Sequence, residues 1–482
     1  MKKSRTPLYT ALKEYTEKPV VHFDVPGHKK VFSLIEGDAF WDAVVRYDAN
    51  STKDLDNLSS PYGVIMEAED LIASAYKADK AYMLVNGSTF GVQAMIMSVL
   101  NPLDKILLPR NIHKSVINGI ILSGALPVFI EPFIDHEYGI SNGLTYDSVK
   151  KALKENPDIK ALLMIHPTYF GIVSDLASII KLCHRNKVLV LVDEAHGAHF
   201  PFHDRFPFNA SALGADLVTA SVHKTCGSLT QSSILLANDK NVDLSRVRTT
   251  INLMQTTSAS YLLMASLDLA RQKLVSEGES RFGEILNALD EARMVLNSTS
   301  GLSVITKDYL NGSSVYDIDE TKLVVRVNGL GLTGFEVYDI LLEKYLIQVE
   351  LAETYVVLAV VGIGDTRDSI FKLVEALQDI SRKYFGKKPP LSFSIGDFFK
   401  KPSTVVSPRD AFYSPKKMMD IEHSIGEISG ESIMIYPPGI PLIIPGERIS
   451  REVVDHYRFY KDQSCIIMNT SGTDDILVLG EE

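Results

Sequence analysis

The sequence predicts an α/β fold with a mostly parallel sheet. Between about residues 60 and 240, short β-branched runs alternate with turns and helical stretches, which is the pattern of a layered α/β fold. Several runs are apolar almost throughout, as expected for parallel strands that are covered on both faces. The seven predicted strands are Ala81–Val85, Lys105–Leu108, Pro127–Glu131, Ala161–Ile165, Val188–Asp193, Ala215–Ala220 and Ser233–Ala237.

Helical stretches separate some of these runs, and a smaller α+β unit follows them. The predicted helices are Phe90–Leu100, Tyr146–Glu155, about Ser260–Asn297, Gly334–Lys344 and Arg367–Tyr384, and two further strands are Lys322–Val327 and Tyr355–Val361. The segment Gly386–Pro390 is a predicted linker, because its two prolines would stop a helix. We therefore predict an N-terminal segment (1–60), a large domain (61–300), a small α+β domain (301–385) and a C-terminal α+β domain (391–482).

The composition narrows the class of protein. The chain has 482 residues, 45% of them hydrophobic and 23% charged, as in soluble globular proteins. Its net charge of −11 argues against a nucleic-acid binder, which needs a basic face. The 3 cysteines form no CxxC pair, so we predict neither a zinc site nor a disulfide framework. No signal peptide or membrane-spanning run is apparent, and we expect a cytoplasmic protein.

The first cluster of interest is Val85–Gly91, where a predicted strand turns into a predicted helix. Hydroxyl groups and free backbone N–H groups at a helix N-terminus form an anion site that suits a phosphate. Ser88 and Thr89 would supply the hydroxyls. A plain helix cap is the alternative, since Ser and Thr are common in that position.

A second cluster, Leu191–His199, includes the end of another apolar strand at Asp193 and two histidines after it. A buried aspartate needs a cationic partner, because an unpaired buried charge is costly. The acids and histidines could bind a metal, or Asp193 could pair with the protonated ring nitrogen of a cofactor. The metal alternative lacks a helical pair of histidines such as HExxH.

The third cluster, Ala220–Gly227, also follows an apolar strand and contains Lys224, 31 residues after Asp193. A lysine at a strand end among small residues can be desolvated enough to act as a nucleophile, although a surface lysine is the simpler alternative. A phosphate site, a strand-end aspartate and a strand-end lysine, in this order on one sheet, form the layout of a pyridoxal phosphate site. In that layout the lysine holds the cofactor covalently and the aspartate keeps its ring nitrogen protonated.

The motifs of these clusters resemble those of the Orn/Lys/Arg decarboxylase family, which has the aspartate aminotransferase-like fold type I. The matching stretches are Val85–Thr89, Val192–His199, Ser221–Thr225 with Thr230 and Gln231 after it, Phe23–Lys30, Arg110–Ser115, His166–Gly171 and Tyr436–Pro441. They keep the family's order over essentially the whole chain, and the length is similar to that of the short, Gram-positive-type members. The resemblance implies a pyridoxal 5'-phosphate-binding large domain and a C-terminal decarboxylase domain.

The family's site residues carry over to matching positions of this chain. Lys224 would be the Schiff-base lysine, Asp193 the partner of the pyridine nitrogen, and His113 a ring stacked on the cofactor. With His223 these form the predicted catalytic set. The remaining cofactor-binding residues would be Ala195 and His196 beside the ring, and Ser88, Thr89, Ser221 and His223 at the phosphate.

The family forms its active sites at a dimer interface, so we expect a homodimer or a larger even homo-oligomer. Thr257 or Ser258 would then reach the phosphate in a neighbouring subunit. Two positions depart from the family pattern: Val31 stands where glycine is usual, and Ala259 where proline is common. Both positions lie outside the predicted cofactor-binding residues, so they bear on the geometry of the substrate loops and not on the use of the cofactor.

The resemblance implies a basic amino acid as substrate and polyamine biosynthesis as the context. The start Thr6–Tyr9 looks most like that of arginine decarboxylases, so arginine to agmatine is the predicted reaction, with lysine or ornithine as alternatives. Another fold type I enzyme, such as an aminotransferase, would share the lysine, aspartate and phosphate layout. A regulator that binds the cofactor without catalysis is the alternative outside enzymology.

Overall fold

A computed structural model of the chain describes residues 4–30, 34–35, 37–391, 402–436, 440–463 and 466–480. Val31 and Pro437–Gly439, which figure in the sequence analysis, lie outside these ranges, as does Cys465, one of the 3 cysteines. In the described part of the chain, no helix combines the length and the apolar composition that crossing a membrane requires.

Helices and strands are numbered here in chain order. The helices are α1 Pro7–Glu17, α2 Ala39–Tyr47, α3 Val64–Tyr76, α4 Gly87–Val99, α5 Lys114–Ser123, α6 Tyr146–Glu155, α7 Leu176–Arg185, α8 Val222–Thr225, α9 Leu244–Met254, α10 Tyr261–Asn297, α11 Gly334–Tyr345, α12 Arg367–Tyr384, α13 Pro408–Tyr413 and α14 Arg451–Asp462. The strands are β1 Lys80–Leu84, β2 Lys105–Pro109, β3 Leu126–Ile130, β4 Ile134–Asp135, β5 Ile140–Ser141, β6 Ile159–Ile165, β7 Ile172–Val173, β8 Leu189–Asp193, β9 Leu217–Ala220, β10 Ser233–Ala237, β11 Ser303–Val304, β12 Asp317–Ile318, β13 Lys322–Arg326, β14 Leu351–Ala352, β15 Val356–Val360, β16 Lys416–Asp420, β17 Ile433–Tyr436, β18 Ile440–Ile443, β19 Ile466–Met468 and β20 Asp475–Leu479.

The largest sheet has seven strands in the order β1-β10-β9-β8-β6-β2-β3, and it confirms the predicted fold class. Each of the seven predicted apolar runs forms one of its strands. β9 runs parallel to β8, and β2 runs parallel to both β3 and β6. β10 is antiparallel to both of its neighbours, β1 and β9, so the sheet is mostly but not wholly parallel.

The chain divides into two compact units. The first consists of Met1–Ser98, Leu191–Gly283 and Gly362–Gly364, and the second of Val99–Val190, Glu284–Val361 and Asp365–Glu482. The large side chains at the centre of the first unit, Tyr76, Tyr261 and Phe282, are almost completely buried. The hydroxyl of Tyr261 donates to the carbonyl groups of Leu55 and Asp56, which satisfies its polar end in the core.

The second unit contains the elements of the two predicted α+β domains. A four-stranded sheet in the order β11-β13-β15-β14 is contacted by α11, and α11 also contacts α12. Near the C-terminus, a separate cluster of buried residues joins the strands to α14, with Ile433, Ile443, Val454 and Ile476 among its members. The exact domain boundaries remain predictions.

Candidate active site

The parallel strands β8 and β9 place the loops that follow them at one edge of the first unit's part of the sheet. Asp193, the last residue of β8, lies opposite Thr219 of β9. β9 ends at Ala220, and α8, which contains Lys224, begins two residues later. Ligands of α/β sheets bind beyond the carboxyl ends of the strands, so both loops lie where a cofactor is expected.

Lys224 and His196 meet in this region. The Nζ atom of Lys224 lies 2.8 Å from Nε2 of His196, a distance at which a proton can be shared between them. His196 is buried, whereas Lys224 is exposed. The sequence predicts a desolvated lysine, but among the described residues of one chain the side chain of Lys224 remains in contact with solvent.

Asp193 has the burial that the sequence predicts. Burial raises the pKa of its carboxyl group, and the positive charge of Lys224 and the backbone N–H of Ala195 only partly offset this rise. That N–H donates to Oδ1 of Asp193 over 3.1 Å and orients the carboxyl group. The neighbouring Glu194 is fully buried, and burial raises its pKa well above the usual range, which favours its neutral form.

The predicted phosphate site combines two elements of the first unit. Gly87 has a φ of +74°, a conformation that glycine adopts without strain, and it lets the chain turn from β1 into α4. The hydroxyl of Ser221, just before α8, donates to the hydroxyl of Ser88, on the first turn of α4, over 2.8 Å. Both serines are buried, and Thr89 is exposed.

One ring nitrogen of His223 makes a hydrogen bond to the backbone. Its Nδ1 atom lies 2.8 Å from the carbonyl oxygen of Ser232, so Nδ1 carries the proton in this contact. Burial lowers the pKa of His223, and the neighbouring positive charge of Lys224 acts in the same direction. Both effects favour the neutral form of the ring.

Three other predicted residues are described each within its own unit. His113 belongs to the second unit and caps α5, where its Nδ1 accepts from the backbone N–H of Ser115. Its stacking on the cofactor stays a prediction. Thr257 and Ser258 are exposed in the first unit, and their contact with a neighbouring subunit also stays a prediction.

The chemistry of these groups fits pyridoxal phosphate. Lys224 offers an amine, and buried Asp193 favours a cation beside it, which the protonated ring nitrogen would supply. The hydroxyls of Ser88 and Ser221 meet at the N-terminus of the 13-residue helix α4, where backbone N–H groups attract an anion.

Two contacts beside Lys224 were not foreseen from the sequence. The buried ring of His199 lies 3.1 Å from the hydroxyl of Thr225, measured from Nδ1 to Oγ1. The carbonyl of Thr225 also accepts from the backbone N–H of Ile363 over 2.9 Å. His199 and Thr225 lie inside matched motifs, but nothing in the sequence indicates that they touch.

Comparison with known proteins identifies the family. Residues 6–369 match the family model of the Orn/Lys/Arg decarboxylase major domain, and residues 396–465 match the model of its C-terminal domain. The arginine decarboxylase of Halalkalibacterium halodurans is 42% identical over 462 residues, which are 95% of this chain and 94% of that protein. The arginine decarboxylase of Bacillus subtilis is 42% identical over 458 residues, again 95% and 94% of the two chains.

A solved structure agrees with this result at the level of the fold. The crystal structure of the Francisella novicida lysine decarboxylase LdcF has a TM-score of 0.83 to this chain at 20% sequence identity, and the match covers 98% of this chain and 81% of that one. From the matched residues and the identity to its relatives, the chain belongs to the Orn/Lys/Arg decarboxylase family.

Proposed function

We propose that this chain decarboxylates arginine to agmatine and CO2. Its identity to arginine decarboxylases, 42% over 95% of the chain, is the observation that carries this choice of substrate. Lysine and ornithine are the nearest alternatives, since the lysine decarboxylase of Pseudomonas aeruginosa is 24% identical over 94% of this chain. The proposed context is polyamine biosynthesis in the cytoplasm.

The chain's own residues would prepare the reaction as follows. Lys224 would hold the pyridoxal 5'-phosphate covalently, Asp193 would keep its ring nitrogen charged, and Ser88, Thr89, Ser221 and His223 would bind its phosphate. When bound, the cofactor supplies a protonated ring that accepts the electrons of the broken bond between Cα and the carboxylate. His113 would stack on the ring, and Ala195 would pack beside it.

Decarboxylation replaces the carboxylate on Cα with a proton, so the site needs a proton donor. The Nζ atom of Lys224 is the proposed donor, and its 2.8 Å contact with Nε2 of His196 supports that role. His196 would return a proton to the amine after each turnover. Groups that exchange protons at this distance raise rates by roughly 10²–10⁴-fold in enzymes.

Alternatives outside decarboxylation are less well supported. An aminotransferase would share Lys224 and Asp193, but the family model that matches residues 6–369 is that of decarboxylases. A regulator that binds the cofactor without catalysis would also need Lys224, but the relatives that are 42% identical are arginine decarboxylases. Measurable release of CO2 excludes both alternatives.

We also propose a homodimer or a larger even homo-oligomer. The N-terminal segment supports it, because Val21 and Phe23 are 80% and 93% exposed and Val25 is 59% exposed. Exposed apolar side chains in such a group are typical of an interface. Sedimentation velocity would test this proposal, and a particle with the mass of a single chain would contradict it.

The test of the proposed reaction compares the wild-type holoenzyme with Lys224→Ala. Wild type should release CO2 and agmatine from arginine and show the visible absorbance of a lysine-bound cofactor. Lys224→Ala should lose both signals, while its phosphate site can still bind the cofactor. An unchanged absorbance band in Lys224→Ala would contradict the role of this lysine.

A further inference from the structure

The short helix that contains Lys224 cannot fix the lysine by itself. α8 spans only Val222–Thr225, and its own backbone bonds include those from Lys224 N–H to the Ser221 carbonyl and from Cys226 N–H to the Val222 carbonyl. Isolated helices of this length are unstable, because too few hydrogen bonds offset the ordering of the backbone. The position of the Lys224 backbone must therefore depend on contacts from outside the helix.

Thr225, the residue after Lys224, makes such contacts on two sides. Its hydroxyl lies 3.1 Å from Nδ1 of His199, and its carbonyl accepts from the N–H of Ile363. A Cβ atom added to Gly362 would lie 3.1 Å from that carbonyl oxygen, so the chain at Gly362 passes close to the backbone of Thr225. Both contacts lie within the first unit.

His199 is itself held firmly. Its side chain is fully buried, and its ring centroid lies 5.0 Å from that of Phe200, 4.6 Å from that of Phe206 and 5.7 Å from that of Phe282. Packing on several sides fixes the plane of the imidazole. The hydrogen bond between this ring and the Thr225 hydroxyl therefore holds the hydroxyl at a fixed place.

We propose that His199 is a positioning residue that acts through Thr225 on Lys224. The hydrogen bond between His199 and Thr225 would fix the C-terminal end of α8. The backbone of Lys224 would then be fixed as well, and its amine would lie in the orientation that contacts His196. The inference rests on the proposed role of Lys224, but its geometry exists in the protein without cofactor. Displacements of about 1 Å at a reacting group can lower rates by about 10²-fold, so such a constraint has consequences for turnover.

The experiment compares His199→Phe, Thr225→Val and the double variant with Thr225→Ser, which keeps the hydroxyl. His199→Phe fills the aromatic pocket but removes the hydrogen bond, and Thr225→Val removes only the hydroxyl. Thr333→Val is the matched control, because it removes the threonine hydroxyl that caps α11 in the second unit. Each protein is measured for its thermal midpoint, for kcat and KM, and for the pH midpoint of the bound cofactor's absorbance.

A further readout uses the protein without cofactor. Acetic anhydride labels exposed amines, and peptide mass spectrometry gives the labelled fraction of Lys224 relative to other lysines of the same digest. We expect both single variants to change this fraction, to shift the absorbance midpoint and to lower kcat at least about tenfold, with KM little changed. The double variant should have the same kcat as each single variant, because each single variant already removes the hydrogen bond between His199 and Thr225. Thr225→Ser should behave like wild type.

Several outcomes would overturn the inference. If Thr225→Val lowered only the thermal midpoint, as expected for Thr333→Val, the contact would be merely structural. Effects of His199→Phe and Thr225→Val that multiply in the double variant would show that the residues act separately. If His199→Phe does not fold, the comparison of Thr225→Val with Thr225→Ser tests the hydroxyl. Cys226→Ala, which removes the other contact of that hydroxyl at 3.5 Å, should then leave kcat unchanged, and a loss of kcat in Cys226→Ala equal to that in Thr225→Val would overturn the role of His199. Wild type that releases no CO2 would refute the proposed function, while Lys224 labelling would still test the positioning.

Discussion

Asp193 combines burial with an ionisable carboxyl group, and this combination makes its proposed role testable at the scale of one residue. Asp193→Asn keeps the shape of the side chain and an oxygen for the Ala195 N–H, but removes the charge that would hold the ring nitrogen protonated. We expect kcat to fall by at least about 10²-fold, the usual effect of losing a preorganised electrostatic group.

The same substitution should not harm the fold. Burial raises the pKa of Asp193, which means that the charged form is costly in the protein without cofactor. Without cofactor, the thermal midpoint of Asp193→Asn should therefore equal or exceed that of wild type. Near-normal turnover of the loaded variant would contradict the electrostatic role.

His113 can be tested by a pair of substitutions that share one defect. His113→Phe and His113→Ala both lose the cap that accepts from the Ser115 N–H, at a cost of about 1 kcal/mol. Only His113→Phe keeps an aromatic face. If the ring of His113 stacks on the cofactor, His113→Phe should bind the cofactor more tightly than His113→Ala does, as measured by equilibrium dialysis. Equal weakening in both variants would point to proton transfer instead.

At the scale of the elements, Gly334 at the start of α11 has no room for a side chain. A Cβ atom would lie 2.1 Å from the carbonyl oxygen of Glu353 and 2.2 Å from that of Val356, and a backbone cannot move aside cheaply. Gly334→Ala should lower the free energy of unfolding by about 1–3 kcal/mol in chemical denaturation. Gly480→Ala is the control, since its nearest atoms lie at an ordinary 3.6 Å. Equal stability of the two variants would contradict the observed packing.

The elements also show what the sequence can predict. The buried runs were located correctly, because a strand covered on both faces must be apolar throughout, and Tyr146–Glu155 and Arg367–Tyr384 match α6 and α12 at both ends. The antiparallel direction of β10 was not foreseen, since the run Ser233–Ala237 is equally apolar in either direction. Strand direction depends on pairing partners rather than on local pattern.

The sequence predicts site residues by the same logic, and their roles stay predictions, whereas it does not predict the contacts that these residues make. Asp193 and Lys224 are predicted site residues because each lies at or just after the end of an apolar strand and in a matched motif, and the structure confirms that position relative to the strand. The hydrogen bond between His199 and Thr225 joins positions 26 residues apart in the chain, and no local pattern encodes it. The exposure of Lys224 differs from expectation because burial depends on the groups packed around it.

At the scale of the whole chain, one ion pair connects distant parts of the second unit. Arg110, after β2, binds both carboxylate oxygens of Glu447, at 2.6 and 2.8 Å, and Glu447 is completely buried. Removing one partner of such a pair leaves an uncompensated charge. Glu447→Gln should lower the free energy of unfolding by about 3–5 kcal/mol in denaturant titrations.

An exposed pair provides the control for this prediction. Glu427 lies 3.4 Å from Lys417, and both side chains are partly in solvent. Glu427→Gln should change the stability by less than about 1 kcal/mol. A loss of stability in Glu447→Gln as small as that in Glu427→Gln would contradict the role of Glu447 in compensating the buried charge of Arg110.

The choice of substrate is tested most directly by the specificity constants of the holoenzyme. kcat/KM is measured for arginine, lysine and ornithine, with each amine product identified by mass spectrometry and CO2 measured in parallel. We predict that arginine has the highest kcat/KM and that agmatine is its product. A value for lysine or ornithine about tenfold above that for arginine would contradict the proposed substrate, and no CO2 from any of the three would contradict decarboxylation itself.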